Sequence, residues 1–168
     1  MELSDFMGEK EMKVLEVLNN YNIKFEKIEH PPVYTVEDAK KHCDFIDVGS
    51  KNLFLKDSKS NNYFLVSLLD TKRADLKLIA NQINIKKLTF ASEQELNTIL
   101  GLSPGEVTPF GLINDTDKKV TFLIDNELEH QEKVAFHPNV NSSTLLLKYD
   151  EFEKFLNYLE IDFIKLDV

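Results

Sequence analysis

Two stretches of this chain carry the residues of turns: one holds two prolines and two glycines, the other a proline followed closely by asparagines and serines. Residues 103–111 read Ser-Pro-Gly-Glu-Val-Thr-Pro-Phe-Gly, and residues 136–144 read Phe-His-Pro-Asn-Val-Asn-Ser-Ser-Thr. Proline fixes φ and removes a donor, whereas glycine tolerates conformations closed to other residues. The chain must therefore turn at both places, and the elements between them are short. Such a loop can present backbone N–H groups to a ligand with no side chain in the way. A hairpin connection is the plainer reading of either loop taken alone.

Periodicity fills in the rest. Met12, Leu15, Val17, Leu18 and Tyr21 recur at helical spacing and predict a first amphipathic helix over 8–21. Ile23, Phe25 and Ile28 read as a short strand. Pro31-Pro32 forces an extended turn, and Thr35 with Asp38 reads as a capping box opening a short helix through His42. Leu53–Leu55 and Tyr63–Leu69 read as strands around the polar turn 57–62. Residues 74–83 are helical in pattern, and Ser92 with Glu95 caps a helix that stops at Gly101. Residues 109–113 and 120–125 are expected to form a hairpin around Asn114-Asp115-Thr116-Asp117. Val134–Phe136 and Thr144–Leu147 are further strands. Asp150 with Glu153 starts a last helix, and residues 162–166 form a closing strand. Strands and helices interleave without a repeat or a linker. The expectation is a single mixed α/β domain over 1–168, not a doubly wound parallel sheet.

The 168 residues suffice for one domain with a real core. No apolar run is long enough to span a membrane, and the N-terminus shows no secretory pattern. A single cysteine, Cys43, cannot form an internal disulfide, which fits a reducing cytoplasm. The net charge of −9 argues against a general nucleic-acid or DNA binder. Residues 51–90, however, hold eight Lys/Arg against three Asp. That basic segment is either a solvated surface or a local phosphate contact.

Candidate chemistry is sparse. His30, His42, His130 and His137 show no metal-ligand spacing, and His42-Cys43 are adjacent, so neither a metal nor another cofactor is expected. Cys43 stands beside Lys40 and Lys41, but a partly buried inert thiol is the better reading. No Gly-x-Ser-x-Gly elbow exists, and Ser142-Ser143-Thr144 lacks a paired base. Lys51 opens an apolar strand. Pattern alone favours a solvated strand-end lysine over an ammonium that holds a phosphate or ribose oxygen as a point charge. His137 is held extended by Pro138; it is equally a hydrogen-bonded loop histidine or a proton donor or acceptor near neutral pH.

Five islands carry a resemblance. They are residues 30–39 (His-Pro-Pro-Val-Tyr-Thr-Val-Glu-Asp-Ala), Lys51-Asn52-Leu53-Phe54-Leu55, Asp70-Thr71-Lys72-Arg73-Ala74-Asp75-Leu76, the Gly105–Gly111 loop and His137-Pro138-Asn139. Together they resemble the prolyl-tRNA editing-domain family, the YbaK-like deacylases, and within it the free-standing alanyl-prolyl-tRNA deacylases. The resemblance implies a mixed, partly barrel-like sheet with helices packed around it. It implies a cytoplasmic trans-editing hydrolase acting on the acceptor end of mischarged proline tRNA, with prolyl-tRNA synthetase as a possible partner.

By the same resemblance, Lys51 matches the lysine of the Lys-Asn-Leu-Phe motif, tied to catalysis and substrate anchoring, with Asn52 beside it. Gly105 and Pro109 match a Gly-x-x-x-Pro element that polarises the ester, followed by Phe110 and Gly111. Glu106 is a departure within it and must face away from phosphate. His137 and Asn139 line the aminoacyl end, with Asn141 a neighbour, and Pro32, Tyr34 and Thr35 are walls of the pocket. Lys72 and Arg73 match a basic pair, and at least one should reach solvent to meet tRNA. The attacking group implied is water, assisted by the terminal hydroxyl of the tRNA. A second sieve too small for proline removes errors that binding alone cannot reject. Two alternatives remain: a deacylase acting on the cysteinyl form, and a non-catalytic tRNA-binding or amino-acid-sensing module.

Overall fold

A computed structural model describes residues 8–32 and 49–168. Helix α1 (Glu9–Asn20) leads into strand β1 (Glu26–Glu29). Its buried positions are Val14 and Leu18, with Leu15, Val17 and Tyr21 packed at the margin. Met12, expected on the apolar face, is exposed. The predicted helix at Thr35–His42 lies outside the described residues.

Strands β2 (Ser50–Asp57) and β3 (Tyr63–Leu69) form the expected hairpin, closed by Asp57 N–H donating to the Asn62 carbonyl at 3.0 Å. Helix α2 (Leu76–Gln82) starts at Asp75, whose carboxylate accepts from the Leu78 N–H. Strand β4 (Leu88–Phe90) pairs with β2, and helix α3 (Glu93–Leu100) carries the complete Ser92–Glu95 capping box before ending at Gly101.

The expected hairpin after this point does not form. Residues 109–114 are a 3₁₀ helix. Pro109 occupies its first turn, where a fixed φ and a missing N–H cost nothing, and the Thr108 hydroxyl caps it by accepting from Phe110 N–H. Asp115 then holds the return, accepting from the N–H groups of Lys119 and Val120 at 2.9 Å each. Strand β5 (Val120–Asp125) runs parallel to β3, not back along residues 109–113. A second 3₁₀ turn (Asn126–His130) is followed by antiparallel strands β6 (Lys133–Phe136) and β7 (Ser143–Lys148). Helix α4 (Tyr149–Tyr158) begins one residue before the expected Asp150; its N-cap is Lys148, and Asp150 sits in the first turn. Strand β8 (Phe163–Leu166) closes the chain against β5 in parallel.

The strands make a five-stranded mixed sheet, ordered β4-β2-β3-β5-β8, and a three-stranded antiparallel sheet, ordered β1-β7-β6. Where one partly barrel-like sheet was expected, the described strands form two. Strand β3 lies at the centre of the larger sheet and is buried on both faces, as its unbroken apolar run requires. On one face Leu65 meets a core containing Phe110, Phe122, Phe136, Phe152 and Phe155. On the other, Val66 and Leu68 meet Leu55, Ile79, Leu123 and Leu166.

Candidate active site

The Gly105 loop is a tight turn. Glu106 N–H donates to the Ser103 carbonyl at 3.0 Å across Pro104-Gly105. Gly105 has φ +88°, the third-position geometry of a type II turn that L side chains rarely adopt. Proline at the second position fits the same turn. The Glu106 carboxylate folds back onto the Ser103 N–H at 3.0 Å and onto Lys10 Nζ at 3.1 Å. Within the loop, the N–H groups of Glu106, Phe110 and Gly111 are used internally. Those of Gly105, Val107 and Thr108 have no partner among the described residues; Thr108 is fully buried, so Gly105 and Val107 are the donors the loop can offer.

Pro109, Phe110 and Gly111 are buried. The Phe110 ring is fully enclosed, edge-on to Phe136, Phe152 and Phe155. A Cβ on Gly111 would come within 2.7 Å of Leu102 Cδ1, so this glycine lets the 3₁₀ helix sit against the chain leaving α3. These residues build the floor under the loop.

His137 follows β6 directly. Its Nδ1 lies 2.9 Å from the Ser143 carbonyl oxygen. A carbonyl only accepts, so Nδ1 carries the proton and the neutral ring presents an unprotonated Nε2. Burial is the main cause holding the imidazole below the ordinary histidine range, and nearby His30 works the same way; the Ser143 bond and the Glu106 charge oppose them. His30 is tilted against His137 with ring centres 6.0 Å apart. It donates from Nδ1 to the Pro31 carbonyl and accepts at Nε2 from the Thr144 hydroxyl, both at 2.8 Å. Its N–H also donates to the Ser142 carbonyl. His30 therefore pins the turn before Pro31 and Pro32 to the start of β7.

Asn139 adopts φ +62° and is only 1% exposed. Its Oδ1 is buried and accepts no hydrogen bond among the described residues. A left-handed non-glycine residue with an unsatisfied buried acceptor is costly, and such strain gathers at functional sites.

The Lys51 ammonium donates to the Lys72 carbonyl at 2.8 Å, leaving two of its three N–H donors. The pleat turns Asn52 the other way. The Asn52 amide oxygen accepts from Ser67 Oγ, its Nδ2 donates to Ser50 Oγ at 3.1 Å, and Ser50 Oγ donates to the Ala135 carbonyl at 2.9 Å. This relay ties β3 and β2 to β6, two residues before His137. The structure thus joins Asn52 to the His137 side through the frame and places Lys51 beside the Lys72-Arg73 backbone. No described hydrogen bond links Lys51 to His137, Asn139 or Gly105.

Arg73 is exposed, whereas the Lys72 ammonium is 2.8 Å from buried Asp125 and 3.3 Å from Glu127. Burial works against the charged lysine, but the two carboxylates outweigh it and raise its pKa. Lys72 is a structural cation, and solvent access falls to Arg73. Tyr34, Thr35 and Cys43 lie outside the described residues. A separate open concavity of about 640 Å³ beside Tyr63, Glu95 and Lys119 includes none of these site residues.

Sequence reasoning missed the frame around the site: Ser50 and Ser67 on the strands, Thr144 on β7, and Glu11 on α1. Glu11 is in register with the apolar positions Val14 and Leu18, but nothing in the sequence sets it apart from other helix carboxylates.

Residues 30–155 match the family described as the aminoacyl-tRNA editing domain. The chain belongs to that family. It is 40% identical over 142 residues to the prolyl-tRNA editing protein ProX of Acetoanaerobium sticklandii, covering 84% of this chain and 87% of that protein. It is 37% identical over 139 residues to the prolyl-tRNA synthetase associated domain-containing protein 1 of Bos taurus, covering 80% and 81%. A crystal structure of a candidate trans-editing enzyme for prolyl tRNA synthetase superposes with a TM-score of 0.72 at 18% identity, over 95% of this chain and 97% of the other. A crystal structure of a hypothetical protein gives the same score at 17% identity. Both share the fold. The editing domain is a deacylase: it removes an amino acid from tRNA by hydrolysing their ester. Among the described residues, no helix is long and apolar enough to cross a membrane.

Proposed function

We propose that this chain is a trans-editing deacylase of mischarged proline tRNA, and that alanine is the amino acid it removes. The observation that carries the reading is the His137–Asn139 island. It combines a half-buried imidazole with a fixed tautomer and, two residues on, a buried carboxamide oxygen with no described partner. An aminoacyl ester brings an ammonium group that would satisfy that oxygen. Likeness to a protein named for prolyl-tRNA editing supports the tRNA assignment.

In this reading the free N–H groups around Gly105 face the ester carbonyl as its oxygen gains charge. His137 Nε2 accepts a hydrogen bond from the substrate, orienting the aminoacyl end. Lys51 and exposed Arg73 hold the terminal nucleotide and its phosphates as point and fork charges. Water is the nucleophile, and the terminal hydroxyl of the tRNA assists it. Prolyl-tRNA synthetase is the partner whose errors are corrected, and the cytoplasm is the compartment where they arise.

The test is a panel of proline tRNA charged with Ala, Cys, Ser and Pro, scored for release of free amino acid. Fastest release of alanine with slow release of proline is the expected result. Equal rates on Ala and Pro, or activity confined to the cysteinyl form, would overturn the alanine assignment. Binding with no release at all would leave a tRNA-binding module.

A further inference from the structure

Helix α1 precedes the segment that matches the editing family, yet three of its side chains reach the candidate site. Glu11 Oε1 accepts from Ser143 Oγ at 2.9 Å and from Lys27 Nζ at 2.7 Å. The carbonyl of this same Ser143 accepts from His137 Nδ1. One residue earlier, Lys10 Nζ meets Glu106 Oε1, the oxygen that also accepts from Ser103 N–H and closes the Gly105 turn. Lys13 Nζ donates to Asn114 Oδ1 at 2.6 Å, and Asn114 in turn donates to the Leu100 carbonyl at the end of α3. Neighbouring residues of one helix thus hold both site loops.

We propose that α1 is a brace that sets the placement of the His137 loop relative to the Gly105 turn, and that Glu11 is the positioning residue acting on His137 through Ser143. The inference rests on the reading of His137 and Gly105 as the site.

The base of the brace is fixed. Val14 and Leu18, one and two turns along the same face as Glu11, are fully buried in the phenylalanine core. A carboxylate whose helix cannot shift fixes what it binds. Glu11 is itself shielded, with its side chain 16% exposed, and Ser143 is buried. The Lys10–Glu106 pair is more open, and exposed pairs contribute little. The weight of the brace therefore falls on Glu11. Ser143 holds the imidazole through its backbone, so tilting that residue tilts Nε2. Small misplacements at a reacting centre cost large factors in rate.

The experiment compares Glu11→Ala, Glu11→Gln, Ser143→Ala, the double change Glu11→Ala/Ser143→Ala and His137→Ala, by steady-state deacylation of Ala-charged proline tRNA with melting temperatures alongside. Glu11→Ala should lower kcat about tenfold and leave KM within about twofold. Glu11→Gln keeps a carboxamide oxygen to accept the Ser143 hydroxyl and should recover most of that loss. The double variant should be no slower than Glu11→Ala, since the two groups act as one unit. Wild-type kcat in Glu11→Ala, equal losses in the Ala and Gln variants, or additive losses in the double variant would each overturn the brace while a dead His137→Ala keeps the site. Full activity in His137→Ala would remove the site reading itself, and the brace with it.

Discussion

The Lys72 ammonium and the buried Asp125 carboxylate form an ion pair of 2.8 Å, and this pair decides which member of the basic dipeptide faces solvent. Asp125 also accepts from the N–H groups of Leu69 and Glu127. It is the junction where β3, β5 and the following 3₁₀ turn meet.

The first prediction separates the two cations. Lys72→Ala should destabilise the fold by roughly 2–4 kcal/mol, because it leaves a buried carboxylate with N–H partners only. Arg73→Ala should leave stability within about 0.5 kcal/mol and weaken tRNA binding about equally for Ala- and Pro-charged forms. It should also flatten the salt dependence by roughly 0.7–0.9 in log–log slope if it removes one phosphate contact. Denaturant melts and a salt titration of binding provide both readouts. An unchanged slope would place the tRNA on another face.

Lys51→Ala is the second. Its hydrogen bond to the Lys72 carbonyl is a single contact to a neutral acceptor, so its removal should cost less than about 1.5 kcal/mol of stability. Loss of a charge-assisted substrate contact should cost about one to two orders of magnitude in rate. Wild-type turnover in this variant would make Lys51 a solvated strand-end lysine.

The third concerns pH. Burial lowers the His137 pKa below its usual value near 6.5. Between the lowered value and 6.5 the unfolded chain binds the proton and the folded protein does not. Stability from this group is therefore fully present above 6.5 and falls as pH drops through that window. The rate should hold down to mildly acidic pH and then fall with an apparent pKa below 6.5. Because the Glu106 charge raises the His137 value, Glu106→Gln should move that acid limb lower still. A limb that stays in place in Glu106→Gln, or moves to higher pH, contradicts the assignment.

A fourth expectation is indifference to chelators and to the thiol. Deacylation should survive EDTA and the change Cys43→Ser. Abolition by EDTA with recovery on added zinc would show a metal-dependent site.

Gly111→Ala supplies a packing check. The added methyl would sit 2.7 Å from Leu102 Cδ1, inside contact distance, and overpacking of this kind costs about 1–3 kcal/mol. Thermal melts that match wild type would mean that Leu102 yields freely.

Local chemistry made much of this chain readable in sequence. The Ser92–Glu95 box and the polar turn at 57–62 are encoded within a few residues, and α3 and the β2–β3 hairpin lie where those signals put them. Pro104-Gly105 dictates its own turn. The family islands pointed to Lys51, Gly105 and His137 because motif wording is a property of the chain alone. Tertiary structure decided the rest. Residues 109–113 have an apolar composition compatible with a strand; the Thr108 cap and Pro109 favour a 3₁₀ turn locally, and the packing of Phe110 among Phe136, Phe152 and Phe155 holds it there. Lys72 and Arg73 are equivalent by adjacency, and it takes Asp125, fifty-three positions away, with Glu127 beside it, to draw one inward. Glu11 reads as one more helix carboxylate until Ser143, 132 positions on, is folded against it. Hydrogen bonds and ion pairs between distant segments leave no periodic trace in sequence, because each partner alone is an ordinary polar residue and the fold alone brings the two together.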